Sequence, residues 1–576
     1  MSAAKRRRSE FCSIVPIIAQ EHLPATRALR RAAEDSVATG QRSLNTLLKD
    51  TSNAIHGLRK QTTVYGPLVD EVEVVGEEGS FPLLFVRPQA LLRMLTERSD
   101  HYGKFLTDCL ASGHGSVILY SDKTVPGNAL RPDKGRAFFA VYWTLAEYPA
   151  WFRKSHDHGW FCLANAFVDD LCKAGVTHSN LLATCLRMFW PTGPDTWNFD
   201  SVGIHILRSG RPIHIRLKFH GILADDEGLW EAASWKTASS YKLCLACRNI
   251  VGLVEPEDLS GSYLKHVSEP DESTFDYHSQ ATWAEMVQTL NDARTAGMGP
   301  TAFGKLQTDL GLKYDPRSIV FDAELLAMVD GPNGYIWDWM HNLVSSSGLA
   351  QFVVNGFAND LSTVGLSAAD LDRFTSTVKL PQCHTKLHRA FWQERTVRGQ
   401  GKHIRAFASE VLTAIQIAVM FCDAVLRPME ALERHCVILR KLGRITDTLL
   451  LGDRALQFLD QLDADVKELH VLFLAMYGWR PKLHYFRHCI RSFRQKRVVV
   501  SCFVTERKHR FLKSIAAFTF NHLGKALLAH FLNEILKRFC DPSHFKRCRL
   551  MPPTKALPGI ETLFEPLGFT SEIASS

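Results

Sequence analysis

Two apolar runs that each stop at an acidic residue constrain the fold of this chain most strongly. "SVILYSD" ends at Asp122, and "HGILADDEG" changes from apolar to acidic at Asp225. Short runs of β-branched, aliphatic and aromatic residues are typical of buried strands. "RAFFAVYWTLAEY" (136–148) is another such run, and "GIHILRSGRPIHIRLKFHGILAD" (203–225) indicates a hairpin about Ser209–Gly210. The sequence therefore predicts a sheet whose strands begin near residue 116.

Helix-type patterns lie on both sides of this strand-rich stretch. "SFPLLFVRPQALLRMLTERSDHYGKFL" predicts a short strand and then a helix with Pro88 in its first turn. We expect residues 1–110 to form a helical N-terminal region, residues 241–495 to be mostly helical, and residues 541–576 to be a tail. The predicted fold class is α/β.

The composition limits where the chain works and what it binds. Among 576 residues, 68 Lys and Arg against 60 Asp and Glu give a net charge of +8, which weakly favours an anionic partner. Fourteen cysteines are too dispersed for a disulfide framework. The most apolar run, 411–426, is short for a bilayer span, so we expect no membrane partner. The basic cluster "KRRR" (5–8) makes the nucleus the expected location.

Acids at neighbouring strand ends suggest metal-assisted chemistry. Asp122 and Asp225 can face one pocket, where carboxylates hold two hard cations about 3.5–4 Å apart during phosphoryl transfer. Mg²⁺ prefers oxygen ligands and keeps several waters, so two or three carboxylates suffice. The alternative is that each acid only terminates its strand.

Three further motifs follow Asp225 in a fixed order. "YKLCLACRN" contains Cys244 and Cys247, "GYIWDWMHN" contains a D-x-x-H string, and "CFVTERKHRFLKS" contains Glu506. This order resembles that of the DDE/D transposases of eukaryotic cut-and-paste DNA elements. The local strings are most similar to those of the CACTA-related and KDZ-type branch.

The resemblance implies an RNase H-like mixed sheet interrupted by a large, mostly helical insertion. Residues 111–240 would form the first part of the catalytic core, residues 241–495 the insertion, and residues 496–540 a C-terminal helix that completes the core. Asp122, Asp225 and Glu506 would then bind two Mg²⁺ or Mn²⁺ ions. Asp226 and Glu227 remain alternatives for the second acid.

The implied function is DNA strand cleavage and transfer at transposon ends, by a homodimer or a larger assembly. Lys508, Arg510 and Lys513 would contact DNA phosphate, although Glu506 and Arg510 could instead form an i,i+4 ion pair. Lys123 predicts a positive charge beside the metals, which would suit a decayed copy. The alternative function is a domesticated DNA-binding or scaffold protein that does not cut.

The cysteine pair offers half of a zinc site. Cys244 and Cys247 have a metal-ligand spacing, and a tetrahedral Zn²⁺ site needs four ligands. We expect His341, and with it Asp338, to complete the set. The rival histidines are His266 and His278, and the alternative is two free thiols in a turn.

A second pair of histidines lies later in the chain. His484 and His488, in "PKLHYFRH", would share one face of a helix. We expect them to be satisfied by hydrogen bonds or to contact phosphate.

Overall fold

The computed structural model describes residues 61–125, 136–154, 159–192, 197–237, 240–380, 387–399, 401–516 and 523–545. The strands are β1 (Thr62–Thr63), β2 (Gly66–Pro67), β3 (Val69–Val75), β4 (Ser80–Val86), β5 (His114–Thr124), β6 (Phe138–Leu145), β7 (Phe161–Phe167), β8 (Ile204–Arg208), β9 (Arg211–Ala224), β10 (Ile250–Val251), β11 (Lys265–His266) and β12 (Tyr335–Trp337).

Helices make up most of the remaining structure. They are α1 (Pro88–Arg98), α2 (Asp100–Cys109), α3 (Ala150–Arg153), α4 (Val168–Ala174), α5 (His178–Arg187), α6 (Asp226–Ala232), α7 (Gln280–Thr295), α8 (Pro300–Leu310), α9 (Ala323–Val329), α10 (Trp339–Leu343), α11 (Leu349–Asp360), α12 (Ala368–Thr377), α13 (Phe391–Arg395), α14 (Ala408–Phe421), α15 (Glu433–Leu450), α16 (Leu459–Tyr477), α17 (Pro481–Lys496), α18 (Phe503–Ala516) and α19 (Leu523–Arg538).

One mixed sheet organises the protein, which confirms the α/β prediction. Its strand order is β12-β9-β5-β6-β7-β4-β3, and β8 pairs with β9 beside this path. Strand β5 is antiparallel to β6, with Asp122 opposite Ala140, and parallel to β9, with Tyr120 opposite Leu223. The parallel neighbours β5, β9 and β12 therefore end at the same edge of the sheet.

The central strands are buried on both faces. All eight residues of β6 are buried, as expected for a strand covered by helices on each side. Helix α5 contacts one face through His178 and Ser121, and α18 contacts the other face beside Asp122. The acids therefore lie under α18, away from α5.

The hairpin predicted at Ser209–Gly210 is present. Strands β8 and β9 pair antiparallel, with Arg208 opposite Arg211. Ser209 (φ 50°) and Gly210 (φ 77°) both adopt left-handed backbone, which a two-residue hairpin turn of this kind requires.

The N-terminal part differs from the helical region expected over 1–110. Residues 1–60 lie outside the described residues, and β3 and β4 extend the main sheet before α1 and α2 begin. The alternating sequence "VDEVEVV" of β3 has the two-residue period of a strand. Pro88 is in the first turn of α1, as predicted.

Residues 241–495 are mostly helical, but they do not form a wholly separate insertion. Strand β12 returns from this region to the main sheet and pairs with β9. The apolar helix α14 continues into a π-helix (Cys422–Leu426), and together they are long and apolar enough to span a bilayer by length and composition. In this structure α14 packs against α11 and α15.

The buried histidine of α16 makes stability sensitive to acid. His470 Nε2 lies 3.0 Å from the Ser268 carbonyl oxygen, and burial lowers the pKa of His470 to about 4. Because the unfolded-state pKa is near 6.5, stability is lost as the pH falls from about 6.5 towards 4. Relative to His470→Gln, the native chain should lose about 2 kcal/mol between pH 7 and pH 5, as measured by urea unfolding. The control is His101→Gln, which replaces an exposed histidine and should lose stability with falling pH as the native chain does. If the free energy of unfolding depended on pH equally in all three proteins, the role of His470 would be refuted.

Candidate metal and catalytic site

Two predicted acids meet across the interface between the sheet and α18. Asp122 lies on β5, which continues for two residues beyond it, and Glu506 lies in the first turn of α18. Ligand atoms of Asp122, Glu506 and His509 all lie within 4.8 Å of one another. The side chains of Asp122 and Glu506 are 32% and 39% exposed, so a hydrated cation can reach them.

Asp225 follows β9 at the same edge of the sheet and interacts electrostatically with Asp122, but it is not among the three residues whose ligand atoms lie within 4.8 Å of one another. It is the N-cap of α6, where its Oδ1 accepts a hydrogen bond from the Gly228 N–H at 2.7 Å. This cap satisfies one oxygen and fixes the carboxylate at the sheet edge. Asp226 points elsewhere: it is buried and accepts a hydrogen bond from Asn342 Nδ2 at 3.1 Å.

The pKa values of Asp225 and Glu506 both respond to the negative charge of Asp122. Burial raises the pKa of Asp122. His509 and the Lys123 N–H, which lies 2.6 Å from Oδ1, lower this pKa by more than burial raises it, so the pKa of Asp122 is below its usual value. The pKa values of Asp225 and Glu506 are raised, chiefly by burial and also by the negative charge of Asp122. Such a site favours a bound cation.

Asp338 and His341 support this site from a third element. Asp338 is fully buried and accepts hydrogen bonds from the N–H groups of Met340, His341 and Cys502. Its Oδ2 lies 2.6 Å from His341 Nδ1, and His341 Nε2 lies 3.8 Å from Glu506 Oε1. Asp338 therefore connects α10 to the segment that leads into α18.

The acids give His341 a raised pKa. Burial lowers this pKa, but the hydrogen bond and charge of Asp338, together with Asp225 and Glu506, raise it to about 9. His341 consequently carries positive charge towards the acids at neutral pH.

Lys123 does not add charge beside the acids. Successive side chains of a strand point to opposite faces, and Asp122 shares its face with Tyr120, whose hydroxyl lies 3.3 Å from Asp122 Oδ2. Lys123 is exposed, and its charge acts on Glu231 of α6, which packs on the other face. The side chain of Lys123, expected beside the metals, therefore lies on the face of the sheet opposite the acids.

The basic residues of α18 differ in their exposure to solvent. Lys508 is buried, and its ammonium group donates to the Trp160 carbonyl oxygen at 2.6 Å, so it is not available to DNA. Lys513 is exposed and remains a candidate for phosphate contact. The side chain of Arg510 lies outside the described residues.

A second group of possible metal ligands lies inside the protein. Cys244, Cys247, His484 and His488 are all buried, and one ligand atom of each lies within 4.8 Å of the others. His488 Nε2 is 3.1 Å from Cys244 Sγ, 3.5 Å from Cys247 Sγ and 2.9 Å from His484 Nε2. Bond lengths of about 2.3 Å to sulfur and 2.0–2.1 Å to nitrogen give tetrahedral edges close to these separations. The donor set therefore fits Zn²⁺.

This group corrects the ligand set expected from the sequence. Asp338 and His341 form a separate group with Cys502 beside Glu506, and neither belongs to the group of Cys244 and Cys247. His266 bonds to Ser268, and His278 bonds to Thr282. The missing ligands come from α17, which lies about 240 residues further along the chain.

Three histidines of the two sites have a helical spacing that is visible in the sequence but does not by itself identify them as site residues. His509 lies three residues after Glu506, a spacing that places both on one helix face. His484 and His488 have the i,i+4 spacing of paired helix ligands, but no local pattern connects them to the cysteines. No protein-family model and no curated protein match this sequence.

Removing Asp338 should lower the free energy of unfolding of the protein more than removing a surface acid does. Asp338→Ala leaves two buried N–H groups, the partly buried N–H of His341 and the His341 ring without their acceptor, at a cost of about 3–5 kcal/mol. The control is Asp423→Ala, which breaks a half-exposed pair with Arg440 and should cost less than about 1 kcal/mol. Denaturant unfolding of both variants tests this, and equal costs would contradict it.

Proposed function

We propose that this chain is a DDE-type protein that cleaves and joins DNA strands using two divalent cations. The observation that carries the proposal is the meeting of Asp122 and Glu506 beneath α18, with Asp225 at the same sheet edge and close enough to interact electrostatically with Asp122. The exposure of Asp122 and Glu506 leaves this edge accessible to a large substrate.

The sheet supports an RNase H-like core for this function. Counted from β5, and omitting the hairpin strand β8, Asp122 lies on the first strand and Asp225 follows the fourth. The transposase resemblance implies these two positions. Glu506 lies on a helix that follows the long helical region, which is the position that the resemblance implies for the third acid.

Each residue has a distinct role in the proposed reaction. Asp122, Asp225 and Glu506 would hold the Mg²⁺ or Mn²⁺ pair, which would supply activation of the attacking water or 3′-hydroxyl and charge stabilisation of the leaving oxygen. Asp122 remains ionised because His509 and the Lys123 N–H favour its charged form. Asp225 and Glu506 supply the other carboxylates, and His341 brings a positive charge towards them. Lys513 is the exposed basic residue of α18 that suits a DNA phosphate contact.

Cleavage of DNA tests this function. The chain should nick supercoiled plasmid and labelled duplex DNA in Mn²⁺ or Mg²⁺. Asp122→Asn, Asp225→Asn and Glu506→Gln should each lower the rate at least about 100-fold, because each removes a charge that holds the cations. The matched control is Glu227→Gln, an exposed acid two residues from Asp225, which should retain the rate.

The outcomes separate the two functions that the sequence left open. Salt-sensitive DNA binding without cleavage in any metal would favour the non-catalytic DNA-binding protein. Cleavage that survives in all three acid variants would refute the site assignment.

We also propose that Cys244, Cys247, His484 and His488 bind one structural Zn²⁺. These residues are buried, and closed four-ligand sites of this kind stabilise a fold without reacting. His488 also lies 5.5 Å, centroid to centroid, from the ring of Trp337, the residue before Asp338. The zinc would therefore fix α17 against β12 and the acid site.

Metal analysis tests the zinc proposal. The purified chain should contain one zinc per molecule, and Cys244→Ser or His488→Gln should abolish that content and lower the unfolding temperature. Cys422→Ser, a buried thiol in the π-helix, should keep the zinc. Full zinc content in His488→Gln together with its loss in His341→Gln would instead support the ligand set expected from the sequence.

A further inference from the structure

Asp122 lies on β5 and Asp225 directly follows β9, and the two strands are not paired at the acids themselves. The last paired residues of β5 and β9 are Tyr120 and Leu223. Beyond them β5 is paired only with β6, and Ala224 of β9 is paired with β12. The pairing of β5 and β9 brings the two acids to one edge of the sheet, but it stops two residues before each of them.

A side-chain bridge centred on the buried His178 crosses this gap on the opposite face of the sheet. His178 Nε2 lies at hydrogen-bond distance, 2.9 Å, from Ser121 Oγ, whereas His178 Nδ1 lies 3.4 Å from Glu231 Oε2, a contact between ionisable groups without a hydrogen bond. Ser121 directly precedes Asp122 on β5. Glu231 belongs to α6, the helix that Asp225 caps. The bridge thus joins the two elements that present the first and second acids.

His178 is itself firmly placed. It is buried at the start of α5, and its ring stacks on Phe139 at 4.3 Å with an interplanar angle of 16°. The next residue, Ser179, donates from Oγ to the Ala232 carbonyl oxygen at 2.6 Å. The start of α5 is therefore fixed to the end of α6, and His178 can transmit that position to β5.

We propose that His178 is a positioning residue that sets the separation of Asp122 and Asp225 and so determines how tightly the site binds divalent cations. This inference rests on the proposed function, because it concerns the same acids. Packing alone would need only an apolar ring or chain against Phe139. The two nitrogens of His178 instead lie against partners on the two elements that carry the acids.

Direct Mn²⁺ binding tests the proposal without relying on activity. His178→Leu keeps apolar packing on Phe139 but removes both links. The full-length variant should bind Mn²⁺ about 10-fold more weakly, the low end of the effect of losing outer-shell support. Electron paramagnetic resonance of free Mn²⁺ measures the affinity, and the Mn²⁺ concentration for half-maximal cleavage should rise by the same factor. His178→Gln can still bond to one partner, so its Mn²⁺ affinity should lie between those of the native chain and His178→Leu.

The matched control is another buried histidine that bonds to an acid. His435 Nε2 lies 2.8 Å from Asp360 Oδ2 in the helical region, away from the acids. His435→Leu should lower the unfolding temperature to a comparable degree and leave the Mn²⁺ affinity unchanged. Equal loss of Mn²⁺ affinity in both variants would show a general stability effect and overturn the proposal.

Failure of this inference is distinguishable from failure of the proposed function. If Asp122→Asn does not weaken Mn²⁺ binding, the metal site is wrong. If Asp122→Asn abolishes binding while His178→Leu binds as tightly as the native chain, only the positioning role is wrong. Should His178→Leu fail to fold, Ser121→Ala and Glu231→Gln each remove one link. Both should weaken binding, and unchanged affinity in both would overturn the proposal.

Discussion

The parallel pairing of β5 and β9 is the constraint on which the rest of the structure depends. It places the ends of two strands, about 100 residues apart in sequence, at one edge of the sheet. Helix α6 begins there because Asp225 caps it, and α18 crosses the same edge with Glu506 in its first turn. Loss of this pairing would separate the carboxylates, whatever happened elsewhere in the chain.

Repulsion between the carboxylates is balanced by groups from distant parts of the chain. His509 comes from α18 and His341 from α10, and both favour the charged form of neighbouring acids. Asp338 is the buried acceptor that fixes His341 and the Cys502 N–H together. The site therefore needs the helical region between 241 and 495 to be folded onto the sheet.

Helix α17 connects the cysteine group to the group of Asp338, His341 and Cys502 that lies beside the acids. Its histidines face Cys244 and Cys247, while Tyr485 stacks on Trp337 at 4.8 Å, one residue before Asp338. Packing of one helix thus affects the cysteine group and the support of the acid site together. Under the proposed function, a metal bound by the cysteine group would therefore also support the acid site.

Local patterns in the sequence were enough for local structure. The strands before Asp122 and Asp225, the Ser209–Gly210 turn and Pro88 at the start of α1 each depend on neighbouring residues and are confirmed, although β5 continues past Asp122 to Thr124. The position of Lys123 on the opposite face also follows from the two-residue period of a strand. Only the tertiary structure decided that His484 and His488, not His341, meet the cysteines, and that Lys508 is buried. Those contacts join residues hundreds of positions apart, and long-range packing, which has no period or spacing in the sequence, determines them.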